Sequence, residues 1–109
     1  MEAADLFKAK LREAQVEVEG VGTITVKALN RATAMKIAGI DNLATMEHWA
    51  LVGGMVDPPI SMKDAKRWHE EAPSYVIEPV INKILELSGM IEGAEKEATK
   101  RFPGSDGDA

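Results

Sequence analysis

The sequence contains no cysteine, which excludes disulfide staples, thiolate metal ligands and thiol nucleophiles. Basic residues are in deficit, thirteen against eighteen acidic, and the formal net charge of -5 opposes a phosphate backbone unless Lys and Arg gather on one face. They do not gather in sequence. No apolar run approaches the length of a membrane span, and the opening MEAADLFKAKLREA lacks the continuous apolar stretch of a signal peptide. The chain is therefore expected to be soluble and not exported, with neither nucleic acid nor membrane among its partners. Repeats of fixed period are missing too, which removes solenoid architectures. What is present, 109 residues with 45% hydrophobic and 28% charged side chains, suffices for one small domain.

Along the chain, Ala4, Phe7, Leu11 and Ala14 recur at helical spacing and predict a short amphipathic helix over the first fourteen residues. Val16, Val18, Ile24 and Val26 then alternate with polar residues and predict a β-hairpin over about 15–28. One-faced pairing requires residue numbers of even sum, for instance Val18 with Ile24 and Val16 with Val26, which leaves Gly20, Val21 and Gly22 as the loop. Five helices are expected after it, at about 30–38, 43–55, 62–72, 75–88 and 93–101, and residues 102–109 read as a disordered tail.

The expected helices carry their own punctuation. Asn30 serves as an N-cap, Ala32, Met35 and Ala38 form one stripe, and Gly39 is a stop. Leu43, Met46, Trp49, Ala50, Val52 and Met55 make a wide apolar surface, after which Val56, Asp57, Pro58 and Pro59 read as a rigid turn. Ser61 with Asp64 approximates a capping box ahead of the stripe Met62, Ala65, Trp68 and Ala72. Pro73 ends that helix and Ser74 is placed to cap the next, whose Tyr75, Ile77, Val80, Ile81, Ile84 and Leu85 mark it as the core helix, closed by Ser88 and Gly89. The fold class that follows is α+β, a mostly helical single domain over 1–101 with one N-terminal hairpin packed on a helical bundle.

Side chains for chemistry are sparse. His48 and His69 are the two groups that ordinarily titrate near neutrality, and neither has a companion at metal-binding or general-base spacing along its own helix. Both read as surface histidines beside a tryptophan. The serines fall at helix boundaries or in the tail, outside any nucleophile elbow. Gly20-Val21-Gly22 joins strand to strand with no GK[ST] following, so it is a hairpin turn and not a phosphate cradle. No catalytic, cofactor or metal site is expected, and the reading is of a protein that binds. Met46, Trp49, Met55 and Trp68 are the candidate partner contacts, since Met and Trp suit adaptable or anchoring contacts. The alternative for Trp49 and Trp68 is that they fill the core between the hairpin and the helices, which amphipathicity does not separate from contact.

Four segments taken in order carry a resemblance: V-E-V-E-G-V-G-T-I-T-V-K-A-L at Val16 to Leu29 leading into N-R-A-T-A-M, A-L-V-G-G-M-V-D-P at Ala50 to Pro58, W-H-E-E-A-P at Trp68 to Pro73, and E-P-V-I-N-K-I-L-E-L-S-G at Glu78 to Gly89. In this order they resemble the small tail assembly chaperones of long-tailed bacteriophages. The resemblance implies a non-enzymatic protein of the host cytoplasm that binds the tape measure protein, keeps it soluble while the tail tube assembles around it, and is absent from the finished virion. It also implies that a frameshift-extended form recruits the tail tube protein. The alternative is a structural virion protein such as a head-to-tail adaptor. Self-association through the hairpin edge or the first helix is left open by the sequence.

Overall fold

A computed structural model of the chain describes residues 1–90. The expected helix at 93–101 and the expected tail at 102–109 lie outside the described residues. Within them the architecture is α+β and mostly helical: a three-stranded antiparallel sheet and four α-helices. No helix among the described residues is long and apolar enough to cross a membrane.

The first segment departs from expectation. Residues Ala3–Phe7 form a single stretch of 3-10 helix with no buried residue, and strand β1 already begins at Glu13 and runs to Val18. Ala14 therefore belongs to the sheet, opposite Val26, and the helical spacing it completed is coincidental. Glu2 N–H donates to Asp5 Oδ2 at 2.8 Å and Asp5 N–H to Glu2 O at 2.9 Å, and the Lys8 ammonium, helped by the Glu2 N–H, holds the Asp5 carboxyl below the ordinary carboxylate range.

Strand β2, Gly22–Lys27, pairs with β1 in the register Val16 with Ile24 and Ala14 with Val26. The parity matches the sequence reading, but each β1 residue pairs two positions earlier along β2, and the three-residue loop is Glu19-Gly20-Val21 in place of Gly20-Val21-Gly22. The turn explains the shift: Val21 N–H donates to Val18 O at 3.0 Å, which puts Gly20 at the third turn position with φ 78°, as a type II turn requires. Val16, Val18, Ile24 and Val26 all remain on the buried face.

Helix α1, Arg31–Ala38, is capped by Asn30, whose Oδ1 accepts from Thr33 N–H at 2.8 Å. Its inward residue is Ile37, supported by Ala34, whereas Ala32, Met35 and Ala38 face solvent, Met35 at 59% exposure. The bulkiest apolar side chain orients the short helix, and the smaller ones follow. Helix α2, Leu43–Gly54, is capped by Asn42 in the same manner and buries Ala50, Leu51 and Gly54.

No loop follows α2. Met55–Asp57 form strand β3, which pairs antiparallel with β2 through Thr25 with Asp57 and Val26 with Met55, across a bulge. The segment expected to be a proline turn thus begins as a third strand, too short to show alternation. Pro58 and Pro59 follow it, on an edge strand, where missing backbone donors cost least.

Helix α3, Met62–Glu71, has the expected capping box, Asp64 N–H donating to Ser61 Oγ at 3.1 Å and Ser61 N–H to Asp64 Oδ2 at 3.4 Å. Helix α4, Ser74–Leu87, is the core helix. Ser74 is its first residue and makes no cap hydrogen bond, because Pro73 occupies the cap position. Val76, in place of Tyr75, joins Ile77, Val80, Ile81, Ile84 and Leu85 on the buried face, which packs on β1 and β2 on one side and on α2 on another. Ser88 Oγ accepts from Leu29 N–H at 2.8 Å and donates to Ile84 O at 2.7 Å, tying the exit of the hairpin to the end of α4.

Candidate functional site

The four candidate contact residues do not share one surface. Met55 is buried in the core as part of β3 and is 6% exposed. Met46 is half-buried and lines a groove with Ile37, Ala38, Ile40, Leu85 and Met90. Trp49, half-buried on α2, lies beneath Lys36, whose ammonium stands 3.6 Å from the ring centroid. That is cation–π geometry and covers the indole from α1.

Trp68 is different. It is half-buried on α3 and lines two adjoining grooves, of about 410 and about 220 Å³, that also share Val21 at the hairpin turn. The larger is walled by Ala72, Pro73, Tyr75 and Val76, the smaller by Ile24, Met55, Pro58 and Ile60. Together they make one apolar trough between the hairpin turn, the segment after β3 and the α3–α4 corner. Val21 is 60% and Tyr75 66% exposed at its mouth, so the trough presents apolar area that the described residues do not cover.

The trough is hidden in the sequence because pattern alone places Val21 in a loop and Tyr75 in the core. A signal existed in each case: a β-branched residue between two turn glycines has no core to serve, and Tyr75 stands one position from the heptad-like stripe of its helix.

A second cluster sits between α2 and α3. His69 Nε2 donates to Glu47 Oε1 at 2.8 Å, and the His48 and His69 rings meet edge to face with centroids 4.6 Å apart. The histidines are thus half-buried interface residues with companions, contrary to the surface reading. Their partners lie across helices, where spacing along a single helix cannot reveal them. Burial, reinforced by His69 and Lys66 and opposed by Glu47 and Glu70, pushes the His48 pKa below its ordinary value of 6.5. Ser74 lines the same small cavity as Glu47 and His69 but makes no hydrogen bond to His69, so the three do not form a nucleophilic relay. Among the described residues no three His, Asp or Glu side chains gather closely enough to hold a metal ion.

Comparison with protein-family models, with curated proteins and with solved structures finds no match to the chain. The trough and the histidine cluster are therefore weighed on their chemistry. The trough offers apolar area and shape; the cluster offers a hydrogen-bonded helix contact.

Proposed function

We propose that this chain is a tail assembly chaperone of a long-tailed bacteriophage, binding the tape measure protein in the host cytoplasm and keeping it soluble while tail tube subunits polymerise around it. The observation that carries the reading is the exposed trough around Trp68, with Val21 and Tyr75 uncovered at its mouth. A long helical client exposes apolar stripes until its own assembly buries them, and burying such a stripe in the trough is favourable by roughly 25 cal/mol per Å² before ordering costs. Many copies along one extended client add avidity, so each contact can be weak. The order of sequence segments from Val16 to Gly89 supports the same reading through its resemblance to that family.

Co-expression with a tape measure protein of a long-tailed bacteriophage tests the proposal. The two should co-purify, and this chain should be missing from purified particles. Its presence in finished particles would support a structural virion component instead.

A further inference from the structure

The trough is not neutral. Its charged lining residues among the described ones are Glu19, Asp64 and Glu71, all acidic, with no Lys, Arg or His among the described residues that wall it. Asp64, Trp68 and Glu71 follow one another at i, i+4 and i+7 along α3, so the carboxylates flank the indole on a single helix face. Glu19 stands across from them on the hairpin turn and is exposed. Glu71 is partly matched by Arg67, whose Nε lies 3.2 Å away, yet its side chain remains 63% exposed. Asp64 holds its capping bond to Ser61 and is exposed as well. The surface is apolar along its floor and anionic along both walls.

Resting on the chaperone reading, we propose that the trough selects amphipathic segments of the client in which Lys or Arg flank the apolar stripe. An acidic rim raises the encounter rate with such segments and repels acidic ones, so the choice lies in charge while apolar burial holds the complex. Anionic ligands, nucleic acid and phospholipid headgroups included, are repelled by the same rim.

Two synthetic helical peptides of about eighteen residues, sharing one Leu/Phe stripe and differing in Lys or Glu flanks, provide the probe. Binding is read by fluorescence anisotropy at about 50 mM and about 500 mM NaCl. The Lys peptide should bind about tenfold more tightly at low salt, and the preference should shrink to about twofold at high salt or in the Glu19→Gln/Glu71→Gln variant. These two positions are exposed, so the variant retains the fold. A Val21→Ser/Tyr75→Ser variant should weaken the Lys peptide by about tenfold and thereby locate it in the trough. Equal binding of both peptides, or a Lys peptide indifferent to the Val21 and Tyr75 substitutions, would overturn the inference. If the client were still held soluble in that case, the chaperone reading would stand without it. An oligomer of the chain alone that dissociates on Glu19→Gln/Glu71→Gln would also overturn it, by assigning the trough to a second copy.

Discussion

Replacing Gly54 by alanine probes the closest approach made to any glycine among the described residues. Gly54 is the last residue of α2 and is buried, and a Cβ there would lie 2.5 Å from Ile84 Cγ2 and 2.7 Å from both Cγ1 and Cδ1. Carbon atoms pack at roughly 3.5–4.0 Å, so α2 and α4 must part by about 1 Å or Ile84 must leave its rotamer. Ile84 is fully buried and β-branched, which closes the second route. Overpacking of this kind costs about 1–3 kcal/mol, and the better helix propensity of alanine returns less than about 1 kcal/mol at a helix end. A net loss of about 1–2 kcal/mol is expected, which for a domain of this size lowers the melting temperature by about 5–15 °C.

The neighbouring glycine supplies the control. At Gly53 an added Cβ would meet Leu29 Cδ2 at 2.9 Å and Thr33 Cγ2 at 3.3 Å, both side-chain ends that give way more cheaply. Gly53→Ala should therefore stay within about 0.5 kcal/mol of the parent. Urea unfolding followed by the fluorescence of Trp49 and Trp68 measures both variants. Repeating Gly54→Ala in an Ile84→Ala background removes all three clashing carbons and should abolish its penalty. A Gly54→Ala protein as stable as the parent, or a penalty unchanged in the Ile84→Ala background, would refute the packing argument.

Ser88→Ala should cost about 1–2 kcal/mol by urea unfolding, because the part-buried Leu29 N–H loses its acceptor, and full retention of stability would show that the tie to α4 is idle. Ser61→Ala removes the cap of α3 and should cost about 1 kcal/mol, again read from the unfolding midpoint. The lowered pKa of His48 means that the folded state binds fewer protons than the unfolded chain near pH 6.5. Its contribution is thus complete above the unfolded value and is lost as pH falls toward the folded one. Stability should decline as pH falls below the ordinary histidine value of 6.5, and His48→Gln should flatten that decline; an unchanged slope would remove His48 as its source.

The elements that sequence made legible are those with strong local signals. The buried hairpin face, the Asn30 cap, the Ser61 and Asp64 capping box and the apolar stripe from Ile77 to Leu85 each rest on spacing within one element. Missed features depend on partners distant in sequence. Strand β3 exists because β2 offers it an edge beside Val26, and three residues carry no period. The hairpin register was decided by the turn at Gly20 and not by the alternation, which fixes parity alone. Of the four candidate contacts, Trp68 and Met55 both line the trough, Trp68 half-buried on α3 and Met55 buried at its floor because β3 carries it into the core. Neither Val21 nor Tyr75 stands out in the sequence, since a stripe count treats Tyr75 as core and Val21 falls in a turn outside any stripe.

The central claim is that the trough holds an apolar client in solution, and the soluble fraction of a co-expressed tape measure protein measures it most directly. Co-expression with this chain should raise that fraction, and the Val21→Ser/Tyr75→Ser variant, altered at two exposed positions, should lose most of the effect while unfolding at an unchanged urea midpoint. A client that stays insoluble beside the intact chain, or that is rescued equally by the folded variant, would contradict the account.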